Sequence, residues 1–277
     1  MTPSESGSAD GLPSQPSGVA STDHARTNSG APLHASRLVR ADDTQPPPDA
    51  DCVLSSRIRL ARNLLGFHFV NKASPPMLSD IVHRVQSARF GGPFAGGVRW
   101  VNVQATAPAD RLLLFERNLI SRPFVEAQHP RGVAISSDES ASVMVNEEDH
   151  LRLQMLAPGL QLVALAERMF ALDAELEHSL EFAFHPRFGY LTACPTNVGT
   201  GIRVSAMLHL PALRLLEELD KVQRAAKDLH LAVRGFHGEG TDALGDFFQV
   251  SNQVTLGRSE IDIVEEFNSV IVPRLTW

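Results

Sequence analysis

The sequence predicts an α+β fold, a mainly antiparallel sheet flanked by helices. Strand-like stretches come in runs: Val133 to Ser137 is followed almost at once by Ala141 to Val145. Helical stretches are interspersed among the strands without a regular βαβ rhythm. Of the 277 residues, 43% are apolar, enough for a substantial buried core.

Roughly the first 50 residues are rich in Ser, Pro, Gly, Asp and Thr and end in Gln45-Pro46-Pro47-Pro48-Asp49. Ordering them would cost more entropy than their few apolar side chains could return. A disordered tail is expected over residues 1–50 and one folded domain over 51–277. Within that domain, Ile81, Val82 and Val85 mark a helix over Ser79 to Arg89. Val143 and Val145 alternate with Ser142 and Met144, the period of a strand paired with Val133 to Ser137. The run Asn146-Glu147-Glu148-Asp149-His150 then leads into an expected helix beginning near Leu151. Leu160 to Leu176 predicts a strong helix after the Pro158-Gly159 break. Tyr190 to Ala193 and Arg203 to Leu210 predict strands separated by the turn-forming Pro195-Thr196-Asn197-Val198-Gly199-Thr200-Gly201. Leu213, Leu216, Leu219 and Val222 mark a further helical face. Leu229 to Phe236, Phe247 to Ser251 and a final helix from Ser259 complete the order, with Ser259 and Asp262 forming a capping-box variant. No repeat of solenoid period is present.

Composition excludes several classes. A net charge of −7 disfavours generic nucleic-acid binding. No apolar run approaches ~20 residues, so no membrane span is expected, and the Met1-Thr2-Pro3-Ser4-Glu5 start lacks the features of a secretory signal. The two cysteines, Cys52 and Cys194, lie far apart without metal-type spacing, which fits a reducing cytoplasm.

The P-loop, dinucleotide and H-E-x-x-H signatures are absent, so any phosphate binding must use other groups. Arginine is the candidate. In Ser55-Ser56-Arg57-Ile58-Arg59, strand geometry puts Arg57 and Arg59 on one side about 7 Å apart, with Arg62 following. Guanidinium forks suit phosphate oxygens; two surface arginines on an edge strand fit the same pattern. Arg152, Arg203 and Arg234, each beside a strand end or turn, carry the same two readings. The acidic run fits a solvated helix start, favoured by the macrodipole, or a carboxylate that holds and deprotonates a substrate cation. Glu239, in Gly238-Glu239-Gly240-Thr241, is either a polar turn or a carboxylate in a loop whose glycines let a ligand approach. Cys194, before a Gly- and Thr-rich turn, is an inert buried cysteine or, beside arginines, a thiolate. No histidine spacing suggests a metal site.

Taken together, four ordered segments resemble the ATP:guanidino phosphotransferase family, which includes arginine and creatine kinases and bacterial protein-arginine kinases. They are Leu54-Ser55-Ser56-Arg57-Ile58-Arg59-Leu60-Ala61-Arg62-Asn63 and Val145-Asn146-Glu147-Glu148-Asp149-His150-Leu151-Arg152, then Gly189 to Arg203 around Cys194, and Arg234-Gly235-Phe236-His237-Gly238-Glu239-Gly240. The resemblance covers Val53 to about Phe267 and implies a guanidino-kinase, glutamine-synthetase-like catalytic domain. It implies that Arg57, Arg59, Arg152, Arg203 and Arg234 cradle the phosphates of Mg-ATP. Ser55, Ser56, Ile58 and the backbone of the segments Arg203-Val204-Ser205-Ala206-Met207 and Arg234-Gly235-Phe236-His237-Gly238-Glu239 would complete the nucleotide site. Glu148 would be the principal carboxylate on the guanidinium, Glu239 the second, and Cys194 a thiolate against its nitrogens. Mg²⁺ would be held mainly by the ATP phosphates, with no protein metal site.

Small-substrate members carry a helical N-terminal domain that covers the free amino acid; here only the Pro/Ser-rich tail precedes Ser55. That, and the wording of Asn197 to Gly201 and Gln249 to Gly257, resembles the protein-arginine kinases, whose acceptors are proteins bearing exposed arginine. Kinases of that group usually continue into a C-terminal helical domain beyond the point where this sequence ends, Trp277. They also usually have histidine where Asn118 stands. The alternatives are a kinase of a free guanidino compound such as arginine, and a nucleotide-binding regulatory module without turnover.

Overall fold

The alternation that starts at Ser55 becomes the central strand of a sheet. The computed structural model describes residues 52–216, 219–235 and 246–275. Its strands are β1 (Val53–Arg62), β2 (Val98–Val101), β3 (Gly132–Ser136), β4 (Ala141–Val145), β5 (Leu151–Pro158), β6 (Phe184–His185), β7 (Gly189–Tyr190), β8 (Ile202–His209), β9 (Leu231–Gly235) and β10 (Phe247–Asn252). The helices are α1 (Pro75–Ser87), α2 (Pro108–Glu116), α3 (Arg122–Glu126), α4 (Leu162–Glu177), α5 (Pro211–Leu215), α6 (Leu219–Asp228) and α7 (Glu260–Leu275). Eight strands form one sheet in the order β2-β3-β4-β5-β1-β8-β10-β9, and every ladder is antiparallel. The strands β6 and β7 make a separate small hairpin.

The two faces of the sheet differ in chemistry because side chains alternate along each strand. One face presents Ile58, Leu60, Leu151, Leu153, Met155, Val204, Ala206 and Leu208, all buried in the main core. Helix α4 lies on it through Leu162, Leu165, Ala166, Met169, Leu172 and Leu176, the spacing of one apolar helix stripe. Helix α7 packs beside α4, and both halves of its expected cap form: Ser259 N–H donates to Asp262 Oδ2 (3.2 Å) and Asp262 N–H to Ser259 Oγ (3.1 Å).

The opposite face is apolar only at its β2-β3-β4 end. There Val133, Ile135 and Met144 join Val103, Leu114, Leu119, Ile120 and Phe124 in a second core under α2 and α3. Arginine and other polar side chains dominate the rest of that face, and this division positions the site.

Three local expectations are corrected. Residues from Leu151 form strand β5, not a helix: Leu151, Leu153 and Met155 are buried in alternation with Arg152 and Gln154, a period of two. The acidic run is therefore a hairpin loop between β4 and β5. In place of an extended strand over Tyr190 to Ala193, only Gly189–Tyr190 pairs, with Tyr190 also bridging Gly199. The stretch from Leu213 to Val222 is divided between α5 and α6 with Leu216 exposed, and the side chains of Leu213, Leu219 and Val222 lie outside the described residues. The tail over residues 1–50 and Phe236, His237, Gly238 and Glu239 also lie outside them.

Arg62 turns to the core face, away from Arg57 and Arg59. Its Nη2 is 2.7 Å from Asp173 Oδ2 on α4, its Nη1 donates to Thr200 O (2.8 Å), and its guanidinium lies 3.5 Å from the Tyr190 ring centroid. It is a structural anchor. Asp173→Ala strands this buried cation, and the expected loss is about 3–5 kcal/mol of unfolding free energy. Chemical denaturation of the two proteins measures it; a loss under ~1 kcal/mol would contradict the anchoring role.

Candidate active site

The cross-strand register places the arginines on the polar face. Arg59 on β1 stands opposite Arg203 on β8 and, on its other side, opposite Gln154 on β5. Arg57 lies two residues back, opposite Ser205 and Leu156; Arg152 is opposite Ala61, one diagonal step from Arg59. One row further, Arg234 on β9 pairs with Gln249, Gln249 with Met207, and Met207 with Ser55. Five arginines from four strands thus share one face. Arg57 Nη2 donates to Gln249 Oε1 (2.6 Å) and Arg152 Nη1 to Glu147 Oε2 (2.6 Å), whereas Arg59 Nε is buried with no hydrogen-bond partner among the described residues.

These cations destabilise one another. Burial, then Arg152 and Arg203, lower the Arg57 pKa to about 10. Burial and the neighbouring arginines push Arg59 well below the ordinary arginine range, and burial with Arg234 and Arg152 lowers Arg203. Both causes, mutual repulsion and lost hydration, are ones that a bound polyanion would relieve.

Arg59, Arg152, Arg203 and Arg234 line a single cleft with Glu147, Glu148, Asp149, Cys194, Thr196, Asn197 and Gly201. A cationic floor therefore meets an acidic end that also carries a cysteine. The acidic end is the β4–β5 loop, closed by Asn146 N–H to His150 O (2.9 Å) and Glu147 N–H to Asp149 O (3.1 Å). Asn146 takes φ +62°, a conformation asparagine tolerates, and its Nδ2 donates to Leu78 O (2.9 Å) and Pro130 O (3.0 Å). Glu148 is exposed to the cleft. Burial of its carboxylate, then Asp149 and Glu147, raises its pKa against the pull of Arg152 and Arg203. That direction suits a proton acceptor.

Asp149 ties the loop to the cysteine segment: its Oδ1 accepts from Asn63 Nδ2 (2.6 Å) and from Ala193 N–H (2.6 Å). Cys194 caps the short turn Pro195–Asn197, with Sγ 3.0 Å from Thr196 Oγ1. The turn returns to β1 through Gly201 at φ +66°, whose carbonyl accepts from Ala61 N–H (3.0 Å); a Cβ there would stand 2.6 Å from Ala61 O. Only glycine fits this approach.

His150 is fixed as a neutral tautomer. Its Nδ1 accepts from Leu64 N–H (2.9 Å), so Nε2 carries the proton and donates to His68 O (2.9 Å). Burial lowers its pKa, outweighing the bond to His68. Below the unfolded value of about 6.5 the unfolded chain takes up a proton that the native ring refuses, so stability falls with pH in that window. In His150→Gln that part of the pH slope is expected to vanish. Denaturant midpoints between pH 7 and pH 5 test it; parallel slopes in the two proteins would refute it.

Of the other sequence-predicted positions, Ser55 shares the arginine face. Ser56, Ile58, Val204 and Ala206 point into the opposite, core side. Ser56 Oγ donates to Gly159 O (2.7 Å) and accepts from Gln161 N–H (3.0 Å), clasping the turn before α4. Ser205 and Met207 are on the arginine face, and Gly235 ends β9 opposite Phe248. Asn118 adopts φ +56° just past α2, and its carbonyl accepts from Gln154 Nε2 (2.5 Å), beside Arg59. Residues that the sequence reading did not single out also build the site. Gln249, Asn63 and Ser121 are each joined to it by side-chain hydrogen bonds spanning 26 to 192 positions, which leave no local signature.

Comparisons with known proteins identify the family. The model of a family described as "ATP:guanido phosphotransferase, C-terminal catalytic domain" matches residues 83–274. The chain belongs to this family. A protein named protein-arginine kinase from Geobacillus stearothermophilus is 44% identical over 231 residues, covering 82% of this chain and 63% of that protein. One of the same name from Moorella thermoacetica is 46% identical over 229 residues, covering 81% and 65%. The chain thus spans a little under two thirds of the length of these relatives. Among solved structures, the duplicated taurocyamine kinase of Schistosoma mansoni with bound transition state analog components has a TM-score of 0.73 at 27% identity, covering 87% of this chain and 35% of that one. Among the described residues, no helix is long and apolar enough to cross a membrane.

Proposed function

We propose that residues 51–277 form the catalytic domain of an ATP-dependent kinase that transfers the γ-phosphate of ATP to the guanidinium of arginine residues in proteins. The observation that carries this reading is the cleft itself, in which a multi-arginine floor abuts Glu148 and Cys194. The protein-arginine kinases at 44% and 46% identity supply the acceptor class.

Arg57, Arg59, Arg152, Arg203 and Arg234 would bind the phosphate oxygens, with Ser55 on the same face beside them. A guanidinium is a poor nucleophile because its lone pairs are delocalised and its pKa exceeds about 12. Glu148 would hold the reacting nitrogen in line with phosphorus and take its proton as the N–P bond forms and the bond from Pγ to the ADP oxygen breaks. Cys194 Sγ, beside the Thr196 hydroxyl, would face the guanidinium nitrogens as a thiolate, and Glu239 would be the second carboxylate. Mg²⁺ would be carried mainly on the ATP phosphates. There it would supply further neutralisation of phosphoryl charge. Cys52 and Cys194 are both free, and we assign the protein to a reducing cytoplasm.

The likeness to a taurocyamine kinase favours, as a second reading, a kinase of a free guanidino compound. Supplying Mg-ATP with a casein-like protein, or with free arginine or taurocyamine, separates the two. Acid-labile phosphate on the protein acceptor is the expected result. Phosphorylation of the free compounds alone would establish the second reading and overturn the first.

A further inference from the structure

Glu147 is bonded on all sides, and its partners belong to different halves of the cleft. Its Oε2 accepts from Arg152 Nη1 (2.6 Å), on the phosphate side, and from the backbone N–H of Glu148 (2.9 Å), on the guanidinium side. Its Oε1 accepts from Ser121 Oγ (2.6 Å), and the Glu147 side chain is only 5% exposed. Burial opposes its ionisation, but Arg152 and the hydrogen bonds from Ser121, Arg152 and Glu148 outweigh it and lower its pKa. Glu147 is therefore a carboxylate, an acceptor only, and the Ser121 hydroxyl must be the donor. The same hydroxyl caps α3 by accepting from Phe124 N–H (3.4 Å).

A carboxylate held at one oxygen only can rotate about its terminal torsion, which is broad. Ser121 pins the second oxygen and so fixes the direction in which Oε2 meets both Arg152 and the Glu148 peptide. We propose that Ser121 is a positioning residue for phosphoryl transfer: through Glu147 it sets Arg152 and Glu148 relative to each other and couples binding of the nucleotide to binding of the acceptor. This rests on the kinase reading above.

A role in capping α3 and a role in orienting Glu147 are separable. Ser121→Ala removes both. Ser121→Asp keeps a strong N-cap acceptor but sets a second carboxylate against Glu147. Ser121→Thr retains hydroxyl and cap. For each protein, Tm, kcat, KM for ATP at low and saturating casein-like acceptor, and the Kd for Mg-ATP by calorimetry are to be measured. Ser121→Ala is expected to lose about ten- to a hundredfold in kcat, the scale of one hydrogen bond to a charged group. Its KM for ATP should rise and cease to depend on acceptor concentration. Ser121→Asp, which keeps the cap acceptor, should share the kinetic defect and the weakened Kd, and Ser121→Thr should recover most of both. A lowered Tm in Ser121→Ala with kcat, KM and Kd unchanged, or a fully active Ser121→Asp, would overturn the proposal. If the wild type itself transfers no phosphate, the kinase reading falls, and the Kd values still decide whether Ser121 positions Arg152.

Discussion

Glu148→Gln is expected to lower kcat by about 10²- to 10⁴-fold, the range for loss of a positioned proton acceptor. Glutamine keeps the size of the side chain and still accepts a hydrogen bond from the guanidinium, but it cannot take the proton or balance the cation. The loop that carries it is held by Asn63, Asp149 and His150 rather than by Glu148, so the fold should survive. The KM for ATP should change little, because Arg57, Arg59 and Arg203 are carried on β1 and β8. Replacing Glu148 also removes an acid whose pKa burial and two neighbouring carboxylates raise, so residual activity should lose the corresponding acidic limb of its pH profile. Initial rates across pH 5 to 9 read out both effects. A variant within threefold of wild type would show that Glu148 is not the group on the guanidinium.

Arg59→Leu should separate activity from stability. Arg59 lies between Arg57, Arg152 and Arg203, its Nε has no partner among the described residues, and burial with those neighbours depresses its pKa strongly. Removing it relieves repulsion, so stability is expected to hold or rise by about 1–2 kcal/mol, as when buried charges give way to apolar groups. On the proposed function the same change also removes a charge that would face the transferring phosphate, and kcat/KM is expected to fall by about 10²- to 10³-fold. Mg-ATP should raise the wild-type Tm by binding the native state and raise that of the variant far less. A variant both less stable and fully active would contradict the reading of this face as a polyanion site.

Much of this arrangement was legible along the chain, and what escaped notice has physical reasons. The alternation around Arg57 and Arg59, the α4 stripe and the Ser259–Asp262 cap are local patterns, and they fold as their periods require. The strand β5 was also written in the alternation of Leu151, Leu153 and Met155. There the acidic residues before it resembled a helix start and drew the reading the wrong way. Helices α2 and α3 and the short β2 were not anticipated, because they gain their place by covering Val133, Ile135 and Met144, residues distant in sequence. In the site, the family resemblance pointed to the arginines, Glu148 and Cys194, but not to how they are held. Asp149 joins Asn63 to Ala193 across 86 and 44 positions, and Glu147 meets Ser121 across 26. Motif spacing also could not separate side chains in the cleft from those beneath it. Ser56, Ile58, Val204 and Ala206 belong to the same motifs as Arg57 and Arg203, yet the pleat turns their side chains to the core.

The central claim is that one cleft moves phosphate from ATP to arginine on a protein. The most direct measurement is mass spectrometry of a casein-like acceptor after incubation with Mg-ATP and the full chain, handled throughout without acid. The account predicts phosphate on arginine side chains that is lost on acid treatment, is formed with equimolar ADP, and forms about 10²- to 10⁴-fold more slowly when Glu148→Gln replaces the wild type. Nucleotide binding without any phosphoarginine, or phosphoarginine formed equally by wild type and Glu148→Gln, would contradict it.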